Sequence, residues 1–432
     1  MLLISDARLK ALGLSEQNVR LLGPLIRGLL AVVVLALGAR QLLTYAQIAQ
    51  TTISVRGMAD FSVFYESSRR VAEGHGDPYD TGVRLDTWPN LSPNLNPPNF
   101  VLLMTPLAFL RPLTAFSIWA TLSIASALLA LGIIFKELGL PVSLTTVTWT
   151  LLALGSAAAT GALLLTAQIS WLLWGPVTLM WAAARRERWV SAAVLLGMTM
   201  SVKPFLGLLL LSLAFNRQWL ALVVAAAVAL TSVSIGVAVL GLQAFVSWIQ
   251  AIRSVTWAGH VFNSSLLGFA SRSFDDRPLP TWLLEPMFRA PEWIQPIWFV
   301  AAAGLLTVTI WKLYERWPTS LEGDVVVDRQ FATLLSAALL ITPLGWVYYH
   351  FFLAGPCIAL FAHEEWRKAP HWRRFVLAGA LICFVLSPGR LTSGQPNALA
   401  TLTVGSAYFW GLLGVWTCAV ARLADTRRAP PS

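Results

Sequence analysis

Three long, mainly apolar runs decide what kind of fold this chain can adopt. PLIRGLLAVVVLALGARQLLTY (24–45), TAFSIWATLSIASALLALGIIF (114–135) and RQWLALVVAAAVALTSVSIGVAVL (217–240) each hold about 20 residues, the length at which an α-helix crosses bilayer hydrocarbon. Inside a bilayer the backbone must satisfy its own polar groups, which helices do within one segment. Charged residues form only 12% of the chain, against roughly 25% in soluble domains. The expected class is therefore an all-α polytopic membrane protein.

Charge then orients the spans. The net charge of +10 is read as the cytoplasmic excess of Lys and Arg, and no nucleic-acid partner is expected. Spans are expected near 24–45, 112–135, 142–163, 166–184, 218–240, 294–314, 328–344, 347–364, 373–389 and 397–421, about ten in all. The segment 188–217 is read as a re-entrant helical hairpin broken at Lys203-Pro204, because proline removes a donor and clashes with the preceding turn. This choice keeps Arg188 and Arg217 on one side. The basic clusters RRER (185–188), HEEWRKAPHWRR (363–374) and RLADTRR (422–428) then all face the cytoplasm.

Both termini are expected there, in a multi-pass cell (inner) membrane, with an amphipathic basic helix before the first span and no cleavable leader. The long loops 46–99 and 243–292 face outward. Residues 1–432 read as one integral membrane domain. Cys357, Cys383 and Cys418 sit in apolar stretches and read as small core residues.

The candidate chemistry lies at the outer ends. Asp60 opens FSVFYESSRRVAEG, where Phe61, Phe64, Tyr65 and Ser68 recur at helical spacing and Gly74 supplies a stop. Asp60 is either the N-cap of an amphipathic helix on the outer membrane surface or a reactive carboxylate placed where a lipid-linked head group would sit. Glu66 and Glu73 read as a solvated face beside Arg69 and Arg70, and Asp77 and Asp80 as shaping the GDPYD turn. Tyr79, and Asn96 in the Pro/Asn run that follows, suit a polar linker or sugar hydroxyls equally.

Lys203 at membrane depth needs a partner: a helix carbonyl end, an outer-loop acid or a ligand anion such as phosphate. His260 and His350 lack metal-ligand spacing and read as hydrogen-bonding groups. Tyr348 and Tyr349 fall in a Trp-Tyr-Tyr-His run typical of an aromatic belt. No Walker, dinucleotide, HExxH or GxSxG motif occurs. Neither a cofactor nor a metal is expected.

In order, DFSVFYESSRRVAEGHGDPYD (60–80), NPPNFVLLMTPLAFL (96–110), SVKPF (201–205), FNSSLLGF (262–269) and TPLGW (342–346) resemble glycosyltransferase family 87. These are polyprenol-phosphate-mannose-dependent mannosyltransferases of the GT-C superfamily. The resemblance implies a GT-C-like fold and inverting transfer of a sugar, most often mannose. The donor would be a polyprenyl phosphate and the acceptor a lipid or glycan at the outer face. It implies Asp60 as general base, with Lys203, His350, Tyr349, Tyr348, Asn263, His260, Tyr79 and Asn96 as candidate contacts to the donor phosphate or sugar. One departure stands out: Tyr348 and Tyr349 occupy positions after the motif's Trp where the family often carries histidine, and His350 follows one step later. A lipid-linked-sugar transporter or an inactive envelope-assembly partner are the competing readings.

Overall fold

The computed structural model describes residues 59–74, 76–80, 93–276, 285–314, 323–362, 370–386 and 397–425, with isolated positions 32, 39 and 43. The expected first span, the helix before it and parts of both outer loops lie outside the described residues.

Helix α1 (Ala59–Ala72) ends before Gly74, whose positive φ of 70° suits a residue without Cβ. Prolines start both α2 (Pro98–Ala108) and α3 (Pro112–Glu137), where the missing N–H costs nothing. Ser143 caps α4 (Leu144–Ser156) by accepting from Thr146 N, and α5 (Ala158–Thr166) follows at a bend of 64°. The sequence suggests one straight span over 142–163. Instead the chain turns at Ala157, and the Thr160 hydroxyl donates to the Leu154 carbonyl that the turn releases.

Next come α6 (Ser170–Arg185) and α7 (Trp189–Val202). Lys203 leaves helical geometry at φ −129°, ψ 89°, and Pro204 begins a 3-10 turn (Pro204–Leu209) that runs into α8 (Leu210–Phe215). The break expected at Lys203-Pro204 is present. Helix α9 (Trp219–Arg253) is longer than the expected 218–240: it passes through Gly241 at φ 78° and carries on. Residues 243–253, expected in an outer loop, are helical.

The rest comprises α10 (Leu266–Phe274), α11 (Ile294–Tyr314), α12 (Gly323–Ile341), a 3-10 segment (Val347–Leu353) with α13 (Ala354–Ala362), α14 (His371–Val385), α15 (Ala398–Leu402) and α16 (Ala407–Asp425). No strand occurs among the described residues, where the single ladder contact is an isolated antiparallel bridge between Asn263 and Trp346.

Among the described residues the fold is all-helical, and four stretches there are long and apolar enough to cross a membrane: Pro112–Glu137, Trp219–Arg253, Pro291–Tyr314 and Ala398–Ala421. The bent α4–α5 pair makes a fifth. Leu113, Leu122 and Leu128 on α3, with Leu220, Val223 and Leu230 on α9, are exposed. Water would penalise such faces, whereas lipid covers them at no cost.

Two expectations about α1 fail. Residues 61–68 are buried on every side, so α1 is enclosed rather than laid on the surface. Small residues permit it: Ser62, Ser67 and Ser68 face packed neighbours, and Ser68 Oγ donates to Val101 O at 2.9 Å. Glu66, expected on a solvated face, is 3% exposed and retains Arg69 at 3.6 Å as an ion-pair partner.

Helices α7 and α9 run side by side in the same direction. Gly197 meets Ala225 and Val228, and one turn later Asn99 Nδ2 donates to both Ser201 O and Ser232 Oγ. Parallel neighbours require the intervening segment 203–218 to return to the end from which α7 began. At that end Arg185 pairs with Asp324 and Asp328 at 2.9 Å each, and Trp181 Nε1 donates to Asp328 at 2.8 Å. Nearby, Ser212 and Asn216 donate to Gln330 on the same helix as Asp328.

A Cβ on Gly197 would lie 2.6 Å from the Ala225 carbonyl oxygen and from Val228 Cβ. Gly197→Leu is therefore expected to force α7 and α9 apart and to cost about 1–3 kcal/mol or more, as overpacking does. A lowered melting temperature of the detergent-solubilised protein is the measurement. Gly132→Ala, which meets nothing within 4 Å, should leave it unchanged.

Candidate active site

At the opposite end of α6 from Arg185, a cavity of about 440 Å³ opens between the break at Lys203, the start of α1, the turn after α5 and two interlocked loops. Helix α6 has 16 residues, so about 24 Å separates the cavity level from the ionic cluster.

The floor of this arrangement is set by two sequence motifs locked together. Asn263 Nδ2 donates to the carbonyls of Ala258 and Pro343 at 2.9 and 3.0 Å. Ser265 Oγ also donates to Pro343 O, Ser264 N to Gly345 O at 2.8 Å, and Val347 N to Phe262 O at 2.9 Å. Gly345 is required at this crossing, since a Cβ would stand 2.1 Å from the Leu339 carbonyl oxygen. Arg272, buried behind the loop, donates to the carbonyls of His260 and Asn263 at 2.9 Å and to Ser406. FNSSLLGF and TPLGW thus form one rigid unit.

Of the residues singled out from sequence, Asp60, Asn96, Lys203, His260, Tyr348 and Tyr349 line the cavity together. Lys203 Nζ donates to Asn96 Oδ1 at 2.6 Å and lies 5.3 Å from the Tyr349 ring centroid, a cation–π contact. Its partner is thus a loop amide, with Asp60 within electrostatic reach. Tyr79 does not line the cavity but holds Asn96 from behind, its hydroxyl donating to Asn96 O at 2.7 Å. Asn94 Oδ1 accepts from Asn96 N and Nδ2, which aims the Asn96 oxygen at the lysine.

Asn263 and His350 lie outside the cavity lining. Asn263 serves as the loop brace just described. His350 Nε2 shares a 2.9 Å hydrogen bond with Ser264 Oγ, and its ring packs 4.7 Å from Phe384. The physical reason is the 3-10 geometry of 347–353: with three residues per turn, successive side chains diverge by about 120°. Tyr348 and Tyr349 reach the cavity while His350 faces the scaffold.

Asp60 sits in the first turn of α1 and not as its N-cap. Gln168 Nε2 donates to Asp60 Oδ2 at 2.7 Å, while the Thr166 hydroxyl, which borders the same cavity, donates to Ala162 O at 3.0 Å. Burial raises the Asp60 carboxyl to about 6, against the opposing pull of the Lys203 charge and of the polar Thr166 and Gln168 side chains. Gln168 and Thr166 carry no signal in the sequence beyond polarity at the junction of two apolar runs. Trp248 and Trp257, which the sequence does not single out, also line the cavity, as does Trp346 of the TPLGW motif.

His260 is held neutral: burial and the Arg272 charge lower it to about 4. Its Nδ1 accepts from Phe262 N at 3.2 Å, so the imidazole proton belongs on Nε2. The cavity thus offers a carboxylate, an ammonium, a neutral imidazole and aromatic faces. That set can take a proton from a hydroxyl, stabilise an anion and stack on a sugar ring. Among the described residues no group of three or more His, Cys, Asp or Glu converges on a metal position.

Apolar helices enclosing such a cavity define a membrane protein, and its class is that of a membrane glycosyltransferase. The chain belongs to Glycosyltransferase family 87, whose model matches residues 94–343. The matched stretch contains Asn96, Gln168, Lys203, His260 and Asn263, with Asp60 before it and Tyr348 and Tyr349 after it. Comparison with curated proteins and with solved structures returned no match.

The two histidines should separate cleanly under substitution. His350→Ala is expected to lower thermal stability by about 1–3 kcal/mol through the lost ring packing against Phe384 and the lost hydrogen bond to Ser264 Oγ, with unchanged substrate KM in the folded fraction. His260→Ala should instead raise KM. Thermal melts and steady-state kinetics on the purified variants check both.

Proposed function

We propose that the protein is an inverting glycosyltransferase that moves mannose from a polyprenyl-phosphate donor to a hydroxyl of a lipid or glycan acceptor at the outer face of a cell (inner) membrane. The observation that carries the reading is that Asp60 and Lys203, far apart in sequence, border one cavity. Asp60 takes the proton of the acceptor hydroxyl as its oxygen attacks the anomeric carbon. The bond from that carbon to the donor phosphate oxygen breaks, and its electron pair leaves with the polyprenyl phosphate. Lys203 balances the charge that develops on the phosphate, and Asn96 and Tyr79 keep the lysine in place. His260, Tyr348 and Tyr349 contact the sugar or phosphate, while Asn263 and His350 serve the site through the loops they brace.

The topology that suits this chemistry has about ten spans, both termini in the cytoplasm and a re-entrant hairpin over 188–217, within one membrane domain spanning 1–432. What supports the hairpin is the parallel course of α7 and α9, together with the placement of Arg185 at the far end of α6 from the cavity. The positive-inside rule then puts the cavity on the outer side.

Transport and a decayed site are the competing readings. A transporter needs no base, yet this chain keeps a carboxylate under a side-chain amide donor and within electrostatic reach of a lysine. A decayed site would have no reason to retain a buried carboxylate. The folded-state value of Asp60, near 6, exceeds its ordinary 3.8. Its contribution to stability is therefore full below 3.8 and lost as pH rises through 6. Ionised at neutral pH, it costs the fold stability, a burden that a function explains.

Transfer from radiolabelled polyprenyl-phosphate-mannose in membranes bearing the protein is the test. The rate should fall as pH drops through about 6, as the base becomes protonated. Asp60→Asn should lose about 10²–10⁴-fold in rate while melting no lower than the parent near neutral pH. Lys203→Met should raise donor KM and slow transfer. An Asp60→Asn protein that transfers as fast as the parent overturns the assignment.

A further inference from the structure

The Asp60 carboxylate is received by a short segment that is ordinary in sequence, LTAQI (165–169), but is built around one side chain. Helix α5 stops because Ala167 takes a left-handed conformation at φ 52°, a costly choice for a residue with a Cβ. The Ala167 carbonyl is held from α3, where Trp119 Nε1 donates to it at 3.0 Å. The turn so fixed aims both Thr166 and Gln168 at Asp60.

The Gln168 amide has no freedom to flip. Its Oε1 accepts from Ile169 N at 2.9 Å, which assigns both remaining hydrogens to Nε2. One goes to Asp60 Oδ2 at 2.7 Å and the other to Tyr348 Oη at 3.0 Å. A primary amide has two N–H donors, and both are used. Tyr348 accepts from Gln168 and so keeps its own hydroxyl proton to give. Tyr348 borders the cavity, so an oxygen of a bound ligand is within its province.

We propose that Gln168 is a positioning residue for transfer: it fixes the Asp60 carboxylate with Oδ2 engaged, and it sets the Tyr348 hydroxyl as a hydrogen-bond donor to an oxygen of the bound lipid-linked sugar. This inference rests on the reading of Asp60 as the base. The groups that face Asp60 besides Gln168 and Thr166 are Lys203 from the helix break, Tyr348 and Tyr349 from the 3-10 segment, and His260 across the cavity. Helices α2 and α5, packed on α1, carry no ionisable side chain, and α3 carries Lys136 and Glu137 only in its last turn.

The experiment compares the parent, Gln168→Leu, Gln168→Glu, Tyr348→Phe and Asp60→Asn as folded, full-length protein in detergent. Two readouts are taken: the pH dependence of mannose transfer from polyprenyl-phosphate-mannose, and the infrared titration of the carboxylate band that Asp60→Asn removes. A donor hydrogen bond to a carboxylate lost in Gln168→Leu should move both midpoints upward by about one pH unit and slow transfer about tenfold. Gln168→Glu, which keeps the shape, should move them upward as well through like-charge repulsion. Tyr348→Phe should raise donor KM with the acid limb unmoved.

Gln168→Leu or Gln168→Glu with the parent's midpoint and rate overturns the positioning role alone. An active Asp60→Asn protein defeats instead the assignment of Asp60. The infrared midpoint needs no turnover, so a wrong choice of donor sugar leaves that readout able to support or sink the inference.

Discussion

A cation in the middle of an apolar bundle organises this molecule. Lys203 interrupts a helical pair among apolar neighbours, where an unpartnered ammonium would be costly enough to expel or neutralise. It is retained because the chain brings it an amide oxygen, an aromatic face and a carboxylate from three other places: Asn96, Tyr349 and Asp60. Each of those needs its own support. Asn96 is held by Tyr79 and Asn94, Tyr349 packs on Phe205 at 5.1 Å, and Asp60 is met by Gln168 and Thr166. Asn96, Tyr79 and Asp60 are therefore placed around a charge.

The same constraint explains why the scaffold is stiff where it could have been loose. Asn263 and Arg272 cross-brace two loops through backbone carbonyls, and Gly345 allows the crossing. Backbone carbonyls buried without donors are expensive, so the brace satisfies the loops and at once fixes Trp346 and Tyr348 on the cavity wall. Trp346 stacks on Tyr348 at 6.2 Å and meets His260 edge-on at 6.1 Å. A sugar ring entering this space meets surfaces already desolvated and oriented, which is the condition for binding energy to act on the reaction.

Much of this was legible in the residues, and what was hidden had identifiable causes. The class of fold followed from apolar length, and the break at Lys203-Pro204 from proline chemistry. The buried set Phe61, Phe64, Tyr65 and Ser68 followed from helical period. Glu66 was misread because periodicity locates one buried face and is silent about a helix buried all round by small serines. His350 was expected at the site because residue counting treats neighbours as interchangeable, whereas a 3-10 turn separates them by about 120°. Gln168 gave no warning: a lone amide between apolar runs has no spacing to read, and its left-handed neighbour is Ala167 where glycine would have signalled a turn.

The distribution of the site along the chain carries a consequence for how it works. The stretch matched to the family, 94–343, supplies the lysine, its amide partner and the glutamine, while the carboxylate and the two tyrosines come from outside it. The three parts meet in a cavity whose walls are mostly apolar. In such a setting the electrostatic coupling between Asp60 and Lys203 is stronger than it would be in water. The lysine lowers the carboxyl that burial raises, and the outcome near 6 leaves Asp60 ionised at neutral pH yet basic enough to accept a proton. A more exposed carboxylate would be a weaker base, and an equally buried one without the lysine would hold its proton more tightly. The position of the charge pair, at the break of a helix and the start of another, sets that balance.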